Sequence, residues 1–114
     1  MASSAPSAQA DPEERVLHML TYTYVPDILE KRGPFREAHL QHANSRVASG
    51  DMLCAGALAN PVDGAVFVWN IQPSRKHEID QFVNDDPYIQ NGLVVSHFIR
   101  EWKIVAGSFS APSP

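Results

Sequence analysis

The residues of this chain best suited to proton transfer fall in two separate predicted helices. Arg36 and His39 lie in the first, and the acidic segment Asp85-Asp86-Pro87-Tyr88 closes the second. Imidazole titrates near neutral pH, so a histidine held by a carboxylate can take a proton from a carbon acid or a hydroxyl and return it elsewhere. Positions i and i+3 of a helix are roughly 60° apart around its axis, so Arg36 and His39 could edge one pocket. Arg36 would then hold an anionic oxygen, a carboxylate or a phenolate, by paired hydrogen bonds. The plainer alternative is a surface histidine–acid pair, an Asp-Pro turn that only ends a helix, and a tyrosine, Tyr88, that packs its ring with the hydroxyl at the edge.

Other chemistries find less support. His39 and His42 are three apart, but no nearby acid completes a ligand set, so no metal is expected. Cys54 is the only cysteine, which excludes an intramolecular disulfide and a Cys-rich zinc site. In the apolar stretch Met52-Leu53-Cys54-Ala55 it reads as a small buried residue rather than a nucleophile. Gly50, Gly56, Gly64 and Gly92 are dispersed, so there is no phosphate-binding loop, and no cofactor is expected. His18, His42, His77 and His97 have no evident partner spacing.

These groups must be carried by one small domain, since the chain has 114 residues of which 44% are hydrophobic. A net charge of −4, from 13 acidic and 9 basic side chains, includes no basic run that could track phosphates, so a nucleic-acid partner is not expected. Residues 1–14 are mostly Ala, Ser, Gln and Pro and read as a disordered tail. They lack the apolar run of a signal peptide or membrane span. An organelle transit peptide is disfavoured by Asp11, Glu13 and Glu14 and by the absence of arginine before Arg15. The expectation is a cytoplasmic protein with a folded unit at 15–107 and a second loose end at 108–114.

Within that unit, 16–25 is rich in β-branched and aromatic residues and stops at Pro26, which predicts a first strand. Both of its faces carry apolar groups, so it should be central and covered on each side. Residues 34–49 change to helical spacing, with Leu40, Ala43 and Val47 expected to face the core and Gly50 as the stop. Two short strands at 51–58 and 65–71, joined by an Asn-Pro and Asp-Gly turn, predict a hairpin. Ser74 is a reasonable N-cap for a second helix with Ile79, Phe82 and Val83 buried, ended by Pro87. Residues 93–105 form a long last strand. The order βαββαβ predicts a ferredoxin-like α+β fold, an antiparallel sheet with both helices on one face. Apolar residues on alternate faces of the first and last strands, Trp102, Phe98, Ile99 and Val95 among them, predict that a second copy packs on the open face, so a homodimer is expected.

Several residues in this order resemble the YCII-related family: Met19-Leu20-Thr21-Tyr22-Thr23-Tyr24, Arg36 with His39-Leu40, Gly50, Gly56, and Asp86-Pro87-Tyr88 followed by Gly92. The resemblance covers nearly all of 15–105. It implies a dimeric α+β barrel, ferredoxin-like in each subunit, with a histidine and aspartate site between helices and sheet. Carried over, the catalytic positions are His39 and Asp86; Arg36 and Tyr88 are the expected substrate-binding residues beside them. The enzymatic precedent in that family is elimination of chloride from a hydroxylated aromatic ring, which implies a reaction type and not a substrate. Three readings follow: a cofactor-independent lyase or isomerase acting on a small anionic or aromatic compound, a binding module that keeps the pocket without chemistry, and a structural dimeric domain. The chain departs from the family pattern in its long polar N-terminal extension, and in a short Pro-containing hairpin connection that could reshape the pocket rim.

Overall fold

A computed structural model describes residues 16–108; the expected loose ends at 1–14 and beyond Ser108 lie outside the described residues. The elements run β1 (Val16–Tyr24), α1 (Ile28–Lys31), α2 (Gly33–Ala48), β2 (Met52–Leu58), β3 (Gly64–Trp69), α3 (His77–Asp85), α4 (Pro87–Gln90) and β4 (Val94–Lys103). The four strands form one sheet in the order β2-β3-β1-β4, every neighbouring pair antiparallel. This is the ferredoxin-like arrangement expected from the alternation of elements.

Boundaries moved where side chains outvote local signals. Pro73–Arg75 is a 3-10 turn, so the second long helix starts at His77 rather than after Ser74, and Lys76 stands at its N-cap without a capping side chain. The one-turn helix α1 was not expected from the sequence. At the end of α2, Gly50 adopts φ +86°, the left-handed geometry that lets a helix stop cleanly.

The core lies between the sheet and α3 with part of α2. Leu20, Tyr22, Phe67 and Trp69 from the sheet meet Ile79, Phe82 and Val83 from α3. β1 and β3 approach closely where Gly64 pairs with Thr23: a Cβ built on Gly64 would lie 2.5 Å from the Tyr22 carbonyl oxygen, so only glycine fits there. α2 contributes far less, because only His39 and Ala43 on it are buried. Leu40 and Val47, expected in the core, are 40% and 42% exposed. The cause is the strand below them. On β2 the positions paired with Ala65 and Phe67 are Ala57 and Ala55, too small to reach α2. A cleft opens instead of a packed layer.

Two further expectations are corrected. Cys54 is exposed, because it pairs with Val68 on the face of the sheet away from the helices. β1 is central but is covered by helices on one side only. Phe98 and Trp102 are exposed opposite Thr21 and Leu17 on the other side. Ile99, by contrast, pairs with Leu20 and packs against the core.

His42 gains a structural role that its spacing did not suggest. Its Nε2 donates to the Phe82 carbonyl at 2.8 Å and its ring stacks on the Phe82 ring at 4.1 Å, which ties α2 to α3. At the far end of both helices, Arg46 and Arg75 are each paired with Asp51 and Glu78. Hydrogen bonds from the Arg75 and Arg46 guanidiniums hold the Glu78 carboxyl down at about 2.

Candidate active site

Asp86 owes its position to Pro87. The proline excludes helical backbone before it, so Asp86 sits at φ −75°, ψ 124° between α3 and α4 and turns its side chain inward. There the carboxylate is fully buried. Oδ1 accepts the Tyr88 backbone N–H at 2.9 Å, capping α4, and is 2.8 Å from Nδ1 of His39. Oδ2 accepts the hydroxyl of Tyr22 from β1 at 2.7 Å. An ionised carboxylate only accepts, so in the neutral imidazole the proton is on Nδ1 and the lone pair is on Nε2.

His39 is fixed on its flat side as well. Its ring stacks on Tyr88 with centroids 3.7 Å apart and planes within 4°, and it meets the edge of Phe67 at 6.1 Å. Nε2 has no hydrogen-bond partner among the described residues, and the ring lines the cleft between α2 and β2. The arrangement is an imidazole whose tautomer is set from behind by Asp86, which does not line the cleft, and whose plane is held by Tyr88, which does.

The cleft encloses about 220 Å³, below the roughly 300–1,000 Å³ typical of sites for drug-sized ligands. It suits one ring or a short-chain acid. Leu40, Ala43 and Val47 of α2 and Ala55 and Ala57 of β2 form apolar walls. Arg32, Arg36, Tyr24 and Tyr88 supply polar groups. Burial is the main cause that pushes the Tyr24 hydroxyl up to about 12; nearby Tyr88 and Asp86 add to it, and Arg32 and Arg36 oppose it. The Tyr88 hydroxyl is raised by burial, against the same two arginines. Both phenols therefore stay protonated at neutral pH and can donate to a ligand. Tyr22 is raised more strongly, first by burial and then by the Asp86 charge beside it.

Of the residues singled out from the sequence, His39, Arg36 and Tyr88 line the same cleft, and Asp86 stands behind His39. Tyr88 also stacks the histidine and donates its backbone N–H to Asp86. Sequence reasoning missed Tyr22, Tyr24 and Arg32. The signal was present: two tyrosines two apart on a strand share a face, and a buried phenol must find a partner. Arg32 lies one turn before Arg36. Among the described residues, no group of three or more His, Cys, Asp or Glu is placed to hold a metal ion. No helix among them is long and apolar enough to cross a membrane.

Fold and site together define a small ferredoxin-like pocket protein with a buried histidine–aspartate pair behind an open cleft. A family model for the YCII-related domain matches residues 16–103, and the chain belongs to that family. Among solved structures it is similar to the 5-chloro-2-hydroxyhydroquinone dehydrochlorinase TftG of Burkholderia phenoliruptrix AC1100, seen in complex with 2,5-dihydroxybenzoquinone. That likeness has a TM-score of 0.66 and 20% identity, over 76% of this chain and 93% of the other. A protein of unknown function from Nitrosomonas europaea aligns with a TM-score of 0.54 and 16% identity, over 85% and 95%. A NIPSNAP family protein from Agrobacterium tumefaciens C58 aligns with a TM-score of 0.53 and 12% identity, over 83% and 88%. At these identities the likeness establishes the fold. No curated protein matches the sequence.

Proposed function

We propose that this protein is a cofactor-independent lyase or isomerase that moves a proton on a small anionic or aromatic compound, with His39 as the base. The observation that carries this reading is the His39 Nδ1 to Asp86 contact at 2.8 Å, which leaves Nε2 as the free nitrogen of a ring lining the cleft. Nε2 takes a proton from a substrate hydroxyl or carbon acid. The electron pair released either expels a leaving group as an anion or shifts to another carbon. Asp86 stabilises the imidazolium, and the proton then goes to solvent when the leaving group departs as a free anion such as chloride, or to the new carbon in an isomerisation. Atoms and electrons balance without an oxidant or reductant. Arg36 holds the developing oxyanion, and Tyr88 keeps the imidazole flat while its hydroxyl faces the ligand. Asp86 and Tyr22 are positioning residues that act through His39. This is the reaction type for which the Burkholderia dehydrochlorinase is named, and the similarity of fold supports it as analogy.

The test is chloride release and isomer formation over a panel of chlorinated and non-chlorinated hydroxyhydroquinones, hydroxybenzoates and lactones, with His39→Gln as the comparison. The variant is expected to lose turnover by roughly 10²-fold or more while melting like the wild type. Turnover within twofold of wild type removes His39 as the base. Stabilisation by ligands without turnover of any compound replaces the enzyme reading with a binding module.

A further inference from the structure

Two guanidinium groups at the cleft have no acid of their own among the described residues. Arg32 joins α1 to α2, and Arg36 follows one turn later. Among the described residues neither forms an ion pair, whereas Arg46 and Arg75 each engage two carboxylates and Lys31 engages Asp27. No Asp or Glu lines the cleft among the described residues. Asp86, behind His39, is fully buried and already accepts from His39, Tyr22 and the Tyr88 amide, so its charge is engaged on the other side of the imidazole. Tyr24 and Tyr88 present neutral phenols, since burial holds both protonated. Beside His39, the cleft thus offers two cations and three neutral donors, Tyr24, Tyr88 and Asn44, and among the described residues no acid in its walls neutralises the cations.

A neutral phenol would leave both cations unanswered, and a monocarboxylate would leave one. We propose that Arg32 and Arg36 form a two-point anion clamp, and that the ligand of this cleft is a single-ring dianion with two acidic oxygens. The volume of about 220 Å³ limits the ligand to about one ring. The apolar walls Leu40, Val47 and Ala55 accept its faces, and the paired donors of each guanidinium match an oxyanion at its rim. Arg32 thereby becomes a specificity-determining residue beside Arg36. The inference rests on the cleft being the substrate site and names the class of substrate that fits it.

The experiment measures binding, so it does not depend on turnover. Phenol, benzoate, phthalate and 2,5-dihydroxybenzoquinone are titrated calorimetrically at pH 7 into the full chain, Arg32→Gln, Arg36→Gln and, as a control on the bare sheet face, Arg100→Gln. The dianions are expected to bind about tenfold tighter than benzoate, and each cleft substitution to weaken the dianions about tenfold and benzoate less. Arg100→Gln is expected to change nothing. The clamp is overturned if Arg32→Gln binds the dianions within twofold of wild type, if phenol or benzoate binds as tightly as the dianions, or if no probe binds. Failure of the acid–base reading looks different: the dianion preference persists and disappears in Arg32→Gln, yet no compound is turned over.

Discussion

Tyr22→Phe tests the arrangement behind His39 most directly, because it deletes one oxygen and keeps the ring. The Tyr22 ring packs on Phe67 at 4.8 Å and on Tyr24 at 6.4 Å, and phenylalanine retains both contacts. What is lost is a 2.7 Å hydrogen bond to Oδ2 of a fully buried carboxylate, and no other group among the described residues donates to that oxygen. Hydrogen bonds to charged groups contribute ~1.5–3 kcal/mol, so the variant should be less stable by about 2 kcal/mol. For a domain of this size each kcal/mol moves the melting temperature by ~4–8 °C, so a fall of roughly 8–16 °C is expected. Urea unfolding followed by near-ultraviolet dichroism gives the free energy, and a double-mutant cycle with Asp86→Asn gives the coupling. A neutral acceptor halves the bond, so Tyr22→Phe should cost only about 1 kcal/mol in the Asn background. The His39 tautomer, read from long-range nitrogen–proton NMR, should remain Nδ1–H in Tyr22→Phe and lose that purity in Asp86→Asn. A loss below ~0.5 kcal/mol, or the same loss in both backgrounds, would refute the view that Tyr22 supports the Asp86 charge.

Two further outcomes follow from other parts of the molecule. His18 is fully buried, and neither ring nitrogen has a partner among the described residues. Burial lowers its pKa, with Glu101 opposing and Lys76 assisting. The folded state then holds it neutral while the unfolded chain takes up a proton below about 6.5, so its contribution is present above that pH and is lost as pH falls towards the depressed folded value. His18→Leu should flatten the decline in stability between neutral and mildly acidic pH without lowering stability at pH 7; an unchanged decline in urea titrations at several pH values counts against it. On the bare face of the sheet, Phe98 and Trp102 are 49% and 44% exposed, and a second copy is the expected cover. Light scattering after size exclusion should report a dimer at micromolar concentration and a monomer for Trp102→Glu, whereas a monomeric wild type removes the dimer.

The order and type of the main elements were legible because each rests on local patterning. Alternation in 16–24, helical spacing after Pro34, the stop at Gly50 and the break at Pro87 all act within a few residues. The pairing of His39 with Asp86 was legible only through the resemblance to a family, since no periodicity connects residues that far apart. Arg36 was legible from its place three residues before His39 on one helix.

What the tertiary structure alone decided is which faces meet and which do not. Periodicity put Leu40, Ala43 and Val47 on one side of α2, but whether that side is core depends on the opposite strand. Ala55 and Ala57 are too short to fill the gap, so all three line a cleft and Leu40 and Val47 stay exposed. Cys54 sits in an apolar run, yet the pairing register sends it to the bare face. Tyr22 and Arg32 join the site for the same reason: a side chain's partner is set by the packing of whole elements, which no local stretch of sequence encodes. The sequence by itself determined the elements, their order and the chemical groups available. The three-dimensional packing decided that a buried carboxylate would hold one histidine, and that two arginines beside it would have no ion-pair partner among the described residues.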